Sequence, residues 1–267
     1  MVRSPMLETM NSSREQQNQR KEKIMDRKTR LTRTFIGLMV LAAITGTVYA
    51  GIGSHALHSY YALAILALAA ATSRMRVKLP GIEGNMSVNL PFLLMAVLSL
   101  SAVEAVLIAS VSTVVQCWPQ SSTKLRPEQI LFNVSMMAFA TSMANLIWNA
   151  GWLAKSSWAS LPLVLAATTA AFFLGQTVPV AGIIKLTQGA GMRSVWMSIA
   201  KLSFPYYVLS TGVTSMLNLA SHRFGWQAAL VVFPVMYGIH HSYRLYFGRE
   251  GEVVRPSPLA RAARAGA

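Results

Sequence analysis

The residues of this chain that could do chemistry are few, and most of them stand inside apolar runs. Thr141, Asn145 and Asn149 recur every four residues, which places three hydrogen-bonding side chains on one helix face. Thr169 and Gln176 lie seven apart and share a face in the same way. Asn89, shortly before Pro91, and Asn133 are amides near the starts of apolar runs, and Glu104 is an acid within one. Polar groups at membrane depth must face protein or a wet cavity, because hydrocarbon offers them no partner. Asn89, Glu104, Asn133, Thr141, Asn145, Asn149 and Gln176 are therefore the candidates for binding a small-molecule ligand. The competing reading is that they join neighbouring helices, at about 0.6 kcal/mol per contact. Glu104 is read as a cation or ligand site, or equally as a solvated loop acid.

His240 and His241, close to Arg244, form a second group that could titrate or hold a metal. Adjacent histidines point about 100° apart on a helix and do not easily share one ion. They are read, with Arg244, as interfacial polar residues toward the cytoplasmic end of the last span.

Other chemistries lack their residues. No Walker A, Gly-x-Gly-x-x-Gly, His-Glu-x-x-His, Gly-x-Ser-x-Gly or Cys-x-x-Cys pattern is present. Nine acids in the whole chain, with Glu104 alone at membrane depth, leave no paired carboxylates. The single cysteine, Cys117, allows neither an internal disulfide nor a cysteine cluster. The expectation is a protein that is not an enzyme, with no cofactor, no catalytic residue and no metal site.

The elements that must position these residues follow from composition. Of 267 residues 53% are apolar and 12% charged, against roughly 25% charged in soluble domains, so the chain reads as an integral membrane protein. The formal charge of +15 does not form a face for nucleic acid; the basic residues punctuate the apolar runs. Runs near the roughly 20 residues that cross a bilayer start at about Thr34, His55, Ser87, Gln129, Leu161, Ser203 and Trp226. Gly175 and Pro179 read as a break in the run that starts at Leu161, Pro205 as a helix start and Pro234 as a kink.

The stretch from Ser87 to Trp118 is long enough for one tilted helix or for two short ones turning near Ser99 to Glu104. The positive-inside rule decides. A hairpin places 22 of the 24 Lys and Arg on one side, leaving Lys155 and Arg223 opposite; a single span divides them 14 to 10. The expected fold is therefore all-α, a polytopic bundle of about eight transmembrane helices with both termini cytoplasmic. It has a basic polar tail over 1–33, a membrane domain over 34–247 and a disordered tail over 248–267. The expected location is the cell inner membrane, multi-pass.

One further signal is a resemblance. Arg76-Val77-Lys78-Leu79-Pro80-Gly81, Met86-Ser87-Val88-Asn89, Phe132-Asn133, Phe204-Pro205 and Ser242-Tyr243-Arg244-Leu245-Tyr246 together resemble the multi-helix bacterial membrane sensor modules that precede GGDEF or HD-GYP output domains. The similarity covers about residues 34 to 247. It implies a bundle that receives a signal and passes it through the last helix. No GGDEF or HD-GYP sequence follows Tyr246, so it implies output through a separate cytoplasmic partner. A small bundle with a polar interior also looks like the S-components of energy-coupling-factor transporters, which would imply small-molecule binding and transport. A structural membrane protein is the third reading.

Overall fold

The computed structural model describes residues 5–52, 59–78, 85–118, 127–150 and 161–224, together with 234–235, 237–238 and 241–242. Among the described residues seven helices carry the fold: α1 (Pro5–Gly51), α2 (Ser59–Ser73), α3 (Leu90–Ser99), α4 (Ala102–Cys117), α5 (Pro127–Trp148), α6 (Leu161–Gln188) and α7 (Met192–Phe224). The all-α expectation needs one addition. The basic segment read as a loop contains a small antiparallel ribbon, β1 (Arg76–Lys78) with β2 (Asn85–Ser87), in the register Arg76 to Ser87 and Lys78 to Asn85.

Among the described residues three helical segments are long and apolar enough to cross a membrane: Met25–Gly51, Pro127–Trp148 and Pro162–Gln188. The apolar helices Tyr60–Ser73, Leu90–Ser99 and Ala102–Cys117 are shorter. At 1.5 Å per residue, α3 rises only about 15 Å, half of a hydrocarbon core of about 30 Å.

α5 is the hub, packing against α1, α3, α4 and α6. Arg33 pairs with Glu128 at 3.0 Å and Thr47 with Ser142 at 3.2 Å; both pairs are 95 residues apart, so α1 and α5 run parallel in constant register. α6 runs the opposite way, with Gly175 against Ala140 and Gly182 against Phe35. α7 reverses again, since Gln176 meets Tyr207 while Thr169, earlier in α6, meets Thr211, later in α7.

The turn between α3 and α4 falls at Leu100 and Ser101, both extended. Val97 lies beside Asn145, near the end of α5. Val103 lies beside Gly51, the end of α1. Cys117 then returns to Asn133, one residue beyond the Phe132 that packs on Phe35. The two helices are thus a hairpin: α3 rises to the face where α1 ends, and α4 descends from it.

α3 does not begin at the opposite face. Its first amide, Leu90 N, donates to Tyr206 Oη, and the neighbouring Tyr207 bonds Gln176, which in turn reaches Met137 in the middle of α5. α3 therefore starts at mid-depth. α2 is its antiparallel companion, with Tyr61 bonded to Ser99 at one end and Val88 N donating to Met75 O at the other.

Several boundaries differ from those expected. The polar stretch before the first span is helical, so α1 runs unbroken for 47 residues, about 70 Å. Pro205 is not a helix start: α7 begins at Met192 and carries it internally. Gly175 and Pro179 do not break α6, which continues to Gln188. Only Gly189 to Gly191 separate α6 from α7, and Gly189 adopts a left-handed φ of 76° that reverses the chain without a Cβ penalty. Pro234 is helical, and most of the residues around it in which a kink would show lie outside the described residues.

Candidate functional site

Burial picks out the centre of the bundle. Every residue from Leu90 to Val97 is buried, so α3 is apolar and enclosed all round, as expected for a helix surrounded by protein. The apolar part of α1, by contrast, is only 17% buried. A helix that short cannot cross a membrane, and its buried first turn must have its backbone groups satisfied by neighbours.

α7 supplies them. Tyr206, Ser210 and Thr214 recur every four residues and share one helix face. Leu90 N donates to Tyr206 Oη at 3.2 Å, and Thr214 Oγ1 reaches the Pro91 carbonyl at 3.4 Å while also bonding its own Ser210 carbonyl at 2.8 Å. Pro91 has no N–H to satisfy, and the Asn89 carbonyl accepts from Phe92 N and Leu93 N. Ser210, between the two contacts, is 1% exposed, and its hydroxyl has no hydrogen-bond partner among the described residues.

A second row on α7 joins α6. Tyr207 donates to Gln176 Oε1, Gln176 Nε2 reaches Met137 Sδ at 3.3 Å, and Thr211 Oγ1 meets Thr169 Oγ1 at 3.1 Å. Trp196 Nε1 donates to Thr177 Oγ1 at 3.1 Å and ties the start of α7 down. Tyr207 also packs edge-on against Phe173, with ring centroids 4.9 Å apart, a favourable arrangement for aromatic quadrupoles.

The residues singled out from sequence fall into separate contacts rather than one pocket. Asn89 is buried at the N-cap of α3. Gln176 belongs to the α5–α6–α7 contact described above. Asn145 Nδ2 reaches Val97 O at 3.5 Å and its own carboxamide oxygen accepts from Asn149 Nδ2 at 3.0 Å, so these two lie together near the α3–α4 turn. Thr141, on the same face, is fully buried and donates to Met137 O at 2.7 Å. Asn133 stands apart, with its Nδ2 3.4 Å from Cys117 Sγ.

Glu104 is neither a solvated loop acid nor an open ligand position. It is 5% exposed and forms a capping box: its Oε2 accepts from Ser101 N at 3.0 Å and Ser101 Oγ at 2.7 Å, while Glu104 N donates back to Ser101 Oγ. The carboxylate therefore satisfies the Ser101 amide at the start of α4 and interacts favourably with the helix dipole. Of the last-helix group, His241 is exposed and its ring stacks on Tyr237 at 6.4 Å. His240 and Arg244 lie outside the described residues.

Tyr206, Ser210 and Thr214 escaped the sequence reading although their spacing of four matches that of Thr141, Asn145 and Asn149. Tyrosine passes as an apolar or interfacial residue, which hides the row. Among the described residues no group of three His, Cys, Asp or Glu side chains could hold a metal. No protein-family model, curated protein or solved structure matches the chain.

Proposed function

We propose that the protein is a signal-receiving membrane module that acts on a separate cytoplasmic partner through α1. The observation that carries this reading is the continuity of α1. Its apolar half holds the hub helix α5 in fixed register from Arg33 to Thr47, and the same helix extends through the polar stretch back to Pro5. A rigid helix that leaves a bundle with polar residues all round is suited to bridging to another body. A displacement of α5 would be delivered along α1 without a flexible joint.

In this reading eight helical segments lie in the cell inner membrane, α2 and α3 forming a half-depth pair and the eighth being the segment after α7, with both termini cytoplasmic. The support is the charge asymmetry of the loops and the alternation of direction from α1 to α7. The likeness of several short motifs to bacterial sensor modules agrees with it.

The test is cross-linking from the polar half of α1. A photoreactive residue placed at Gln19 or Arg27, both exposed, is expected to capture a cytoplasmic protein, and deletion of residues 5–24 to abolish the response while the bundle stays folded. A response that survives the deletion contradicts the proposal.

One observation favours a second reading, small-molecule binding and transport. Transport folds place sites at interrupted helices near the midplane, and α3 is a half-depth helix whose first turn adjoins the Ser210 hydroxyl, which has no partner among the described residues. In that case Ser210→Ala abolishes solute accumulation, and unchanged uptake removes this reading.

A further inference from the structure

We infer that the turn between α6 and α7 is a binding site for an anionic phospholipid of the leaflet that faces the polar half of α1. Depth, shape and charge converge there. α6 is a crossing-length apolar helix that ends at Gln188, and its last turns lie beside the start of the apolar part of α1, with Gly182 against Phe35. The turn that follows is therefore at headgroup level on the face where α1 becomes polar.

The first turns of α7 are amphipathic. Val195, Trp196 and Ile199 lie on the side toward α6, with Ile199 buried and Trp196 bonded to Thr177. Arg193, Met197 and Lys201, spaced by four, form the opposite side with Ser194 and Ser198 beside them. These five residues, with Gly191 and Met192, line an open, shallow depression on the outer face of α7. No acid lines it, and neither Arg193 nor Lys201 has an ion-pair partner among the described residues.

A phosphodiester fits each part. Its charge suits a guanidinium and an ammonium on one stripe, Arg being matched to phosphate oxygens in a fork. The serine hydroxyls can donate to the same oxygens. Met192 and Met197, each 38% exposed, offer unbranched apolar contact for the start of an acyl chain. Basic residues on an amphipathic helix at the membrane surface are a recognised means of attracting anionic headgroups. This assignment is independent of the signalling proposal, since it requires only that α6 lie in a membrane.

The experiment is thermal unfolding of the full chain in neutral detergent micelles, with phosphatidylglycerol, phosphatidylcholine or inorganic phosphate added. Phosphatidylglycerol is expected to raise the midpoint and phosphatidylcholine to leave it nearly unchanged. In Arg193→Gln/Lys201→Gln the apparent affinity for phosphatidylglycerol should fall about thirty-fold, if each cation acts at full strength. Arg27→Gln/Lys28→Gln, which removes the same charge from exposed positions of α1, should leave the lipid response intact. An equal loss in both double variants means diffuse surface charge and overturns the site. A response to inorganic phosphate as large as that to the lipid overturns the choice of ligand. If the first variant unfolds without lipid, Arg193→Lys with a native Lys201 serves instead, and binding of one lipid per chain, counted by native mass spectrometry, must weaken.

Discussion

Gly175 lies against Ala140 with no room for a side chain: a Cβ at 175 would stand 2.9 Å from the Ala140 Cα. This contact sets the spacing of α5 and α6, and small residues at such crossings are how membrane helices approach closely. Gly175→Ala must push backbone against backbone, at an expected cost of about 1–3 kcal/mol. Gly182→Ala meets only the tip of the Phe35 ring, at 3.0 Å, which can swing aside. Gly212→Ala meets nothing within 4 Å and should be neutral or stabilising, since Ala is the better helix former. Thermal midpoints in one detergent should rank the three in that order; equal midpoints would contradict the packing described.

Tyr206→Phe tests the anchoring of α3. It keeps the ring and removes the oxygen that accepts from Leu90 N, leaving a buried amide without its partner, which costs about 1–3 kcal/mol. Thr214→Val should cost less, because its contact to Pro91 is longer and its hydroxyl is also satisfied within α7. Hydrogen exchange at Leu90 to Val97 should quicken in Tyr206→Phe and stay slow in Thr214→Val. Unaltered exchange in the tyrosine variant would mean that the contact does not hold the helix.

Glu104 offers a sharper contrast. Glutamine also closes a capping box, whereas alanine loses it, a difference of about 1 kcal/mol. Glu104→Gln should therefore retain most of the stability that Glu104→Ala loses, in detergent melts at neutral pH. A bound cation in place of a cap would reverse the expectation, with glutamine and alanine equally damaging.

Much of this architecture can be read from residues. Charge asymmetry places a turn near Ser99 to Glu104, and the chain breaks at Leu100 and Ser101. Within that stretch Ser101-Ala102-Val103-Glu104 spells a capping box; considered only as an acid at membrane depth, Glu104 looks like chemistry instead. The polar half of α1 is hidden for a different reason. It has no apolar periodicity, yet its Glu, Gln, Lys and Arg are good helix formers, and the Asp26–Arg30 pair at 2.8 Å supports a turn of it. Lys185, Arg193 and Lys201 suggest a loop because charge interrupts hydropathy, although they sit on helices that outrun the apolar window. The tertiary partners of α3 are not legible, since sequence spacing shows which residues share a face and not which helix that face meets.

The Arg33–Glu128 bridge is expected to matter little by itself. Both side chains are more than half exposed, and such pairs contribute about 0–1 kcal/mol. Glu128→Gln should shift the detergent melting midpoint negligibly, while Thr47→Leu/Ser142→Leu, which overfills the contact between the same helices, should lower it clearly. A large loss from Glu128→Gln alone would show that α1 is held at its polar end rather than along its length.

In the proposed orientation the polar half of α1 and the α6–α7 turn share the cytoplasmic face. Single cysteines in a Cys117→Ser background, at Lys28, Ile52 and Gln188, can be exposed in intact cells to a maleimide that does not cross membranes; all three positions are exposed on the protein. Ile52→Cys should label at once, and Lys28→Cys and Gln188→Cys only after the membrane is permeabilised. Labelling of Lys28→Cys and Gln188→Cys in intact cells, with Ile52→Cys protected, would put α1 outside and contradict a cytoplasmic partner.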